Sequence, residues 1–247
     1  MKKYLSLFFG LALLGCQQTE LLIFETKTYE EKACYKEYCA TVELTYPLYV
    51  GSTESAVYLN EHIEQQLSMM AAIGEDFEAE SLSLAITNFL DSYLQFMEEF
   101  DAYHEWSLDL RVRETFQGKD MISLVVENYS YTGGAHPNYF LQYVNFSKQS
   151  NSIISNEELV LDHDSLLAIA EKKFRAYHEV QEEVDLAQDG RFFLEDDSRF
   201  FLPVTMGVDG DDFILFYNPY EIGPYVIGAT ELRIPLKELN GIVRKVE

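Results

Sequence analysis

Hydrophobic and polar positions alternate along this chain in two distinct rhythms. Over residues 55–73, Ala56, Leu59, Ile63, Leu67 and Met70 recur every three or four positions, which predicts an amphipathic helix that Gly74 is placed to stop. Over residues 81–103, Leu82, Ile86, Phe89, Tyr93, Phe96 and Phe100 step by fours and threes into one apolar stripe, with most of the acids off it. That stripe reads as a second helix packed on a core. The rhythm then switches to two. Trp106, Leu108, Leu110 and Val112 alternate with Ser107, Asp109, Arg111 and Arg113, and Ile122, Leu124 and Val126 continue the alternation. Together with residues 139–146, these runs predict a three-stranded antiparallel meander with short turns. Upstream, residues 27–35 and 39–50 read as a strand pair. Downstream, Ser155-Asn156-Glu157-Glu158 has capping-box form. A third helix is expected over residues 164–179, with Leu166, Ile169, Ala170, Phe174 and Tyr177 on its inner face, and strands over 213–217 and 229–234. Residues 181–199 are acidic and without period. Helices and strands in blocks predict an α+β fold of antiparallel sheets with packed helices. The polar stretch 148–152 divides it into two closely associated subdomains, 25–148 and 149–247.

Composition narrows the class. Of 247 residues 47% are hydrophobic and 14% aromatic, enough for a true core. Eighteen Lys and Arg face 42 Asp and Glu, a net charge of −24. Phosphate recognition needs clustered cations, so nucleic acid is excluded as a partner, and basic partners would be drawn in instead.

The N-terminus sets the expected compartment. Lys2 and Lys3 precede an apolar run over residues 4–14, too short to span a bilayer comfortably. It ends in Leu13-Leu14-Gly15-Cys16, which resembles the bacterial lipobox. Residues 1–15 are then a lipoprotein signal peptide, Cys16 the acylated residue, and residues 16–24 a lipid-anchored tether. Cleavage removes two lysines and no acids, which leaves a charge of −26. Gln17 stands where retention in an inner membrane would want Asp, so a Gram-negative source implies the outer membrane. Cys34 and Cys39 remain, an even pair flanking four residues between two strands. In an oxidising compartment this predicts a disulfide across a hairpin, and no His or Cys lies nearby to make a zinc site instead.

Catalytic signatures are missing. There is no Gly-x-Ser-x-Gly, no Walker or dinucleotide glycine pattern, and Leu108 stands where a zinc-protease helix starting at His104-Glu105 would need its second histidine. Asp209-Gly210-Asp211-Asp212 lacks the ligand spacing of a calcium loop, with Tyr220 in place of its bidentate glutamate, and reads as a turn between strands. No cofactor and no metal are expected. Two stretches stand apart from the periodic pattern. The first, residues 131–139, packs two glycines with Tyr131, His136 and Asn138; the second, residues 218–228, carries Tyr220, Glu221 and Tyr225. Glycines permit close backbone approach and the polar tips could bind a ligand or brace a demanding turn.

These stretches carry a resemblance. Tyr131-Thr132-Gly133-Gly134-Ala135-His136-Pro137-Asn138 is similar to the Tyr-x-Gly-Gly-Ala-His-Pro-Asn signature of a paired domain family of unknown function. Asn218-Pro219-Tyr220-Glu221-Ile222-Gly223-Pro224-Tyr225 with the strand that follows resembles its C-terminal member. The family includes the extracellular region of RsiV-type anti-sigma factors that sense lysozyme and the accessory region of PdaC-type peptidoglycan deacetylases. The resemblance implies an α+β pair of domains, the second similar to a small subdomain of the Hsp70 ATPase. The deacetylase's catalytic domain, with its metal-binding motifs, has no counterpart here, and the anti-sigma factor's transmembrane helix is replaced by the lipid anchor.

The expectation is therefore a lipid-anchored, non-catalytic protein of the cell envelope. Its partners would be the membrane, through the lipid, and either a basic protein such as lysozyme or a peptidoglycan fragment, met by Tyr131, His136, Asn138, Tyr220, Glu221 and Tyr225. The alternative is an enzyme acting on peptidoglycan or another glycan with His136 in its site.

Overall fold

The computed structural model describes residues 21–74, 80–100, 104–194 and 199–246. The expectations for residues 1–15 and for Cys16 lie outside the described residues, as does Tyr103 at the end of the second predicted helix.

Strands Phe24–Tyr35 (β1) and Tyr38–Tyr49 (β2) form a long hairpin in which Phe24 pairs with Tyr49 and Cys34 with Cys39. The Cys34–Cys39 disulfide is formed next to the two-residue turn. The helix Glu54–Ala71 (α1) is capped by Thr53, whose hydroxyl accepts the Ala56 amide. It stops two residues before the expected end, with Ala72 as its C-cap, and Gly74 takes a positive φ of 102° further on. Asn60 ties it down, accepting the Tyr49 amide at 2.8 Å and donating to the Tyr49 carbonyl at 2.9 Å. The helix Leu82–Phe100 (α2) buries Leu82, Ile86, Phe89 and Tyr93 of the apolar stripe. The stripe leaves the core at the last turn, where Met97 is buried and Phe100 lies exposed beside Phe96.

Trp106–Gln117 (β3), Met121–Tyr131 (β4) and Asn138–Ser147 (β5) make the expected antiparallel meander. It does not stand alone. The meander joins the hairpin, with Ala40 beside Trp106 and Thr45 beside Arg111, and that junction is parallel rather than antiparallel. A parallel pair requires a crossover connection, and α1 with α2 supplies it, laying both apolar faces over one side of the sheet. The short strand Ser152–Ile153 (β6) completes a six-stranded sheet in sequential order.

Beyond it, Asn156–Leu159 (α3) carries the capping box, its Ser155 and Glu158 each satisfying the other's amide. The helix His163–Tyr177 (α4) buries Leu166, Ala170 and Phe174, whereas Tyr177 is exposed. A single-turn helix, Leu186–Asp189 (α5), interrupts the acidic stretch. Strands Thr205–Asp209 (β7), Asp212–Tyr217 (β8) and Thr230–Pro235 (β9) form a second, antiparallel sheet.

The elements stack as helix, sheet, sheet, helix. β8 shows how: Phe213, Leu215 and Tyr217 face the α4 core, while Ile214 and Phe216 face Val125, Leu141 and Tyr143 on the large sheet. The two sheets are also joined through buried polar groups. Asn145 donates to the Met206 carbonyl at 2.8 Å and accepts from Ser123, whose oxygen in turn accepts the Val208 amide at 3.1 Å. Thr205 donates to the Leu141 carbonyl. Each of these bonds satisfies a group that would be costly to bury alone.

Candidate functional site

The loop between β4 and β5 and the loop between β8 and β9 meet at one end of the sheets. Gly133 turns the first loop with a φ of 87°, and a Cβ there would lie 3.4 Å from the His104 ring. That turn carries His136 across to the second loop, 84 residues away in sequence. The His136 imidazole stacks on the Tyr225 ring, centroids 3.8 Å apart and planes 15° from parallel. Its Nδ1 lies 3.0 Å from the Pro137 carbonyl and its Nε2 3.2 Å from the Tyr220 hydroxyl. A carbonyl can only accept, so the hydrogen-bond network places a proton on Nδ1, and in the neutral ring Nε2 then accepts from Tyr220. The Tyr225 hydroxyl donates to the same Pro137 carbonyl at 3.3 Å. Tyr220 adopts a φ of 70°, a region costly for a non-glycine residue, and the residue is 56% exposed.

The second loop is held in place from beneath. Asn218 is buried; its side chain accepts the Leu141 amide at 2.7 Å and donates to the Leu141 carbonyl at 2.9 Å, mimicking a strand partner for β5. Glu221 spends both carboxylate oxygens on backbone amides, Asn218 at 2.8 Å and Val204 at 2.9 Å. The turn at Tyr225–Ile227 then pushes Val226 outward, 89% exposed. Phe193, whose amide donates to the Ile222 carbonyl, and Val204 are also exposed on this side. The result is a polar brace under an aromatic and aliphatic surface.

Of the six residues singled out from sequence, His136, Tyr220 and Tyr225 form one ring cluster, and Glu221 lies in the brace beneath it. Tyr131 and Asn138 sit at the flanking strand ends, outside the stack, where Asn138 is exposed and pairs with Ser130. Tyr139, next along, donates to Glu127, and burial together with that carboxylate pushes its hydroxyl pKa up to about 12. Asn218 carries more of the geometry than sequence reasoning assigned to it; an amide side chain directly before a proline, just after an apolar strand, is the signal that marks it. Among the described residues no group of three or more His, Cys, Asp and Glu side chains could hold a metal. A separate cavity of about 470 Å³ lies beside α4, where Arg175 is tied to Glu171 and to the Val184 carbonyl.

The two motif loops come from the two sheets, and two consecutive stretches of the chain, whose border does not coincide with the border between the sheets, match known families. Residues 31–139 match the family described as Deacetylase PdaC, and residues 139–237 match the family described as Protein of unknown function (DUF3298). The chain thus carries a PdaC-type region followed by a DUF3298 region. The two matches meet at Tyr139, one residue into β5, inside the large sheet. Among solved structures, a DUF3298 family protein from Pseudomonas aeruginosa is similar, with a TM-score of 0.70 and 22% identity over 92% of this chain and 96% of that one. A DUF3298 family member from Bacteroides fragilis has the same TM-score and coverage at 17% identity. At these identities the likeness concerns the fold. No curated protein matches the chain significantly.

Proposed function

We propose that this protein is a lipid-anchored, non-catalytic binding protein of the cell envelope, and that the His136–Tyr220–Tyr225 seam is its recognition surface. The observation that carries the reading is the use to which the motif side chains are put. Both His136 nitrogens are engaged, by the Pro137 carbonyl and the Tyr220 hydroxyl, and the Glu221 carboxylate is spent on two amides. An acid–base pair assembled from these groups would have to dismantle the loop that presents it, whereas the exposed face of Tyr220 and the Val226 side chain point outward to meet a surface. The chain's net charge of −24 favours a cationic protein such as a lysozyme, with opposite charge raising the association rate in a salt-dependent way. The resemblance to lysozyme-sensing extracellular domains supports the same partner class.

Calorimetric titration of the mature chain with basic lysozymes, and separately with a disaccharide-peptide wall fragment, tests this at low and physiological salt. The expected result is saturable lysozyme binding, about micromolar or tighter, that persists at physiological salt and weakens about tenfold or more in Tyr220→Ala. Heat that vanishes with added salt would reduce the interaction to bulk attraction. A flat titration with lysozyme and binding of the wall fragment would move the partner to the glycan. Turnover of that fragment, lost in His136→Ala, would overturn the non-catalytic reading.

A further inference from the structure

The end of the large sheet opposite the motif loops is built differently. Here the described chain begins, and Leu21, Ile23 and Val50 are 65%, 73% and 52% exposed. They are neighbours because the Val50 amide donates to the Ile23 carbonyl at 2.7 Å. The lip they form is held firmly. Between Leu21 and Ile23, Leu22 exchanges two hydrogen bonds with the Gln117 side chain, at 2.5 and 3.0 Å, and Lys148 donates to the same amide oxygen at 3.1 Å. Exposed aliphatic side chains carried on a backbone that these part-buried hydrogen bonds hold in place form a surface prepared for an apolar contact. The charges around the lip are mixed in sign, Lys119 and Lys148 beside Asp120 and Glu114, so the apolar side chains are its distinguishing feature.

The occupant follows from chain length. Five residue steps separate Cys16 from Leu21, a reach of at most about 18 Å. β4 runs for 11 residues from Met121, at the lip end, to Tyr131, at the motif loop, a height of about 33 Å. A lipid on Cys16 therefore keeps the lip end within about 18 Å of the bilayer, while the motif-loop end can stand up to about 33 Å farther off. We infer that the Leu21–Ile23–Val50 lip seats in the interfacial region of the membrane that anchors the protein, standing the sheets upright with the His136–Tyr220–Tyr225 seam directed away from it. This rests on the lipid-anchored reading above.

The test uses the acylated full chain in vesicles of phosphatidylethanolamine and phosphatidylglycerol with brominated acyl chains, which quench indole fluorescence on contact. Trp106, buried near the far end of the sheet, is the native control. Val50→Trp places a second indole on the lip. The expected result is that wild-type emission is unchanged by bromine while the introduced indole loses most of its emission, with no change when salt is raised. Ile23→Asp in the same background should restore much of that emission. Unquenched emission from protein that floats with the vesicles overturns the inference, and cross-linking of the lip to a second chain or to an uncleaved leader would then identify its cover. Protein that does not float overturns both the anchor and the lip. Flotation and quenching that persist in a chain beginning at Gln17, which lacks both leader and acylated cysteine, overturn the anchor alone and leave the lip as a membrane contact.

Discussion

Gly207 sets how closely the two sheets approach. It lies in the middle of β7 under the Tyr143 ring, and a Cβ at that position would come within 2.2 Å of the ring and 2.7 Å of the Tyr143 Cβ. Neither atom is the far end of a flexible chain, so the sheets would have to separate. Gly207→Ala is therefore expected to cost about 3 kcal/mol, at the upper end of the usual range for overpacking. Urea denaturation would show it as a lower midpoint at unchanged slope. In a double-mutant cycle with Tyr143→Ala the two losses should add to less than their sum, because the second change removes what the first collides with. Strict additivity would show that the contact does not limit the approach. At this same scale the site was only half legible. His136, Tyr220 and Tyr225 could be picked out from loop chemistry, but the stack of His136 on Tyr225 depends on a meeting of residues 89 apart that no local pattern encodes.

Among elements, the β1–β2 hairpin is the least supported. β1 is an edge strand, exposed along most of its length, and packs on the core at its two ends, through Phe24 against Tyr49 at one and Ala33 with Tyr35 at the other. Its charged residues guard the unpaired edge against a second strand. The Cys34–Cys39 bond closes a short loop, which limits the chain entropy it removes from the unfolded state to about 2 kcal/mol. Replacing both cysteines with serine should lower stability by about that amount. Hydrogen exchange should rise first at residues 30–39, and uniform exchange across the whole sheet would contradict the local account. The sequence made this hairpin visible because each strand is long and its turn short. It hid β7 for the opposite reason. Thr-Met-Gly-Val-Asp is buried on both sides, has a glycine at its centre and shows no alternation, so nothing in its pattern announces a strand. The parallel β2–β3 pairing was hidden too, since strands separated by two helices leave no local mark of their register.

At the scale of the molecule, the buried polar seam makes the two sheets one unit. Lifting the β7–β9 sheet away would expose Ile214 and Phe216. It would also strip inter-sheet partners from Ser123, Asn145, Thr205 and the Leu141 backbone, whose groups would then be buried unsatisfied or newly solvated. Thermal unfolding should accordingly be a single transition, with calorimetric and van't Hoff enthalpies in agreement. Two resolved transitions, or an enthalpy ratio well above one, would mean that the halves melt separately. The helix-and-strand block pattern was enough to give an α+β class, because burial periodicity reports which face of an element is covered. It does not report by what. The four-layer stacking comes from β8 and β4 being buried on both faces, which in sequence is merely a run of apolar residues.

The place where the two family matches meet has a consequence for how this protein could have arisen and how it can be divided. Residue 139 lies within β5, which is bonded along one edge to β4 and covered on one face by β8. A recombination event that delivered either half alone would deliver a raw strand edge, inviting β4 or β5 to pair with whatever copy lay nearest. A gene cut at their shared border would therefore be expected to yield two sticky fragments rather than two working modules.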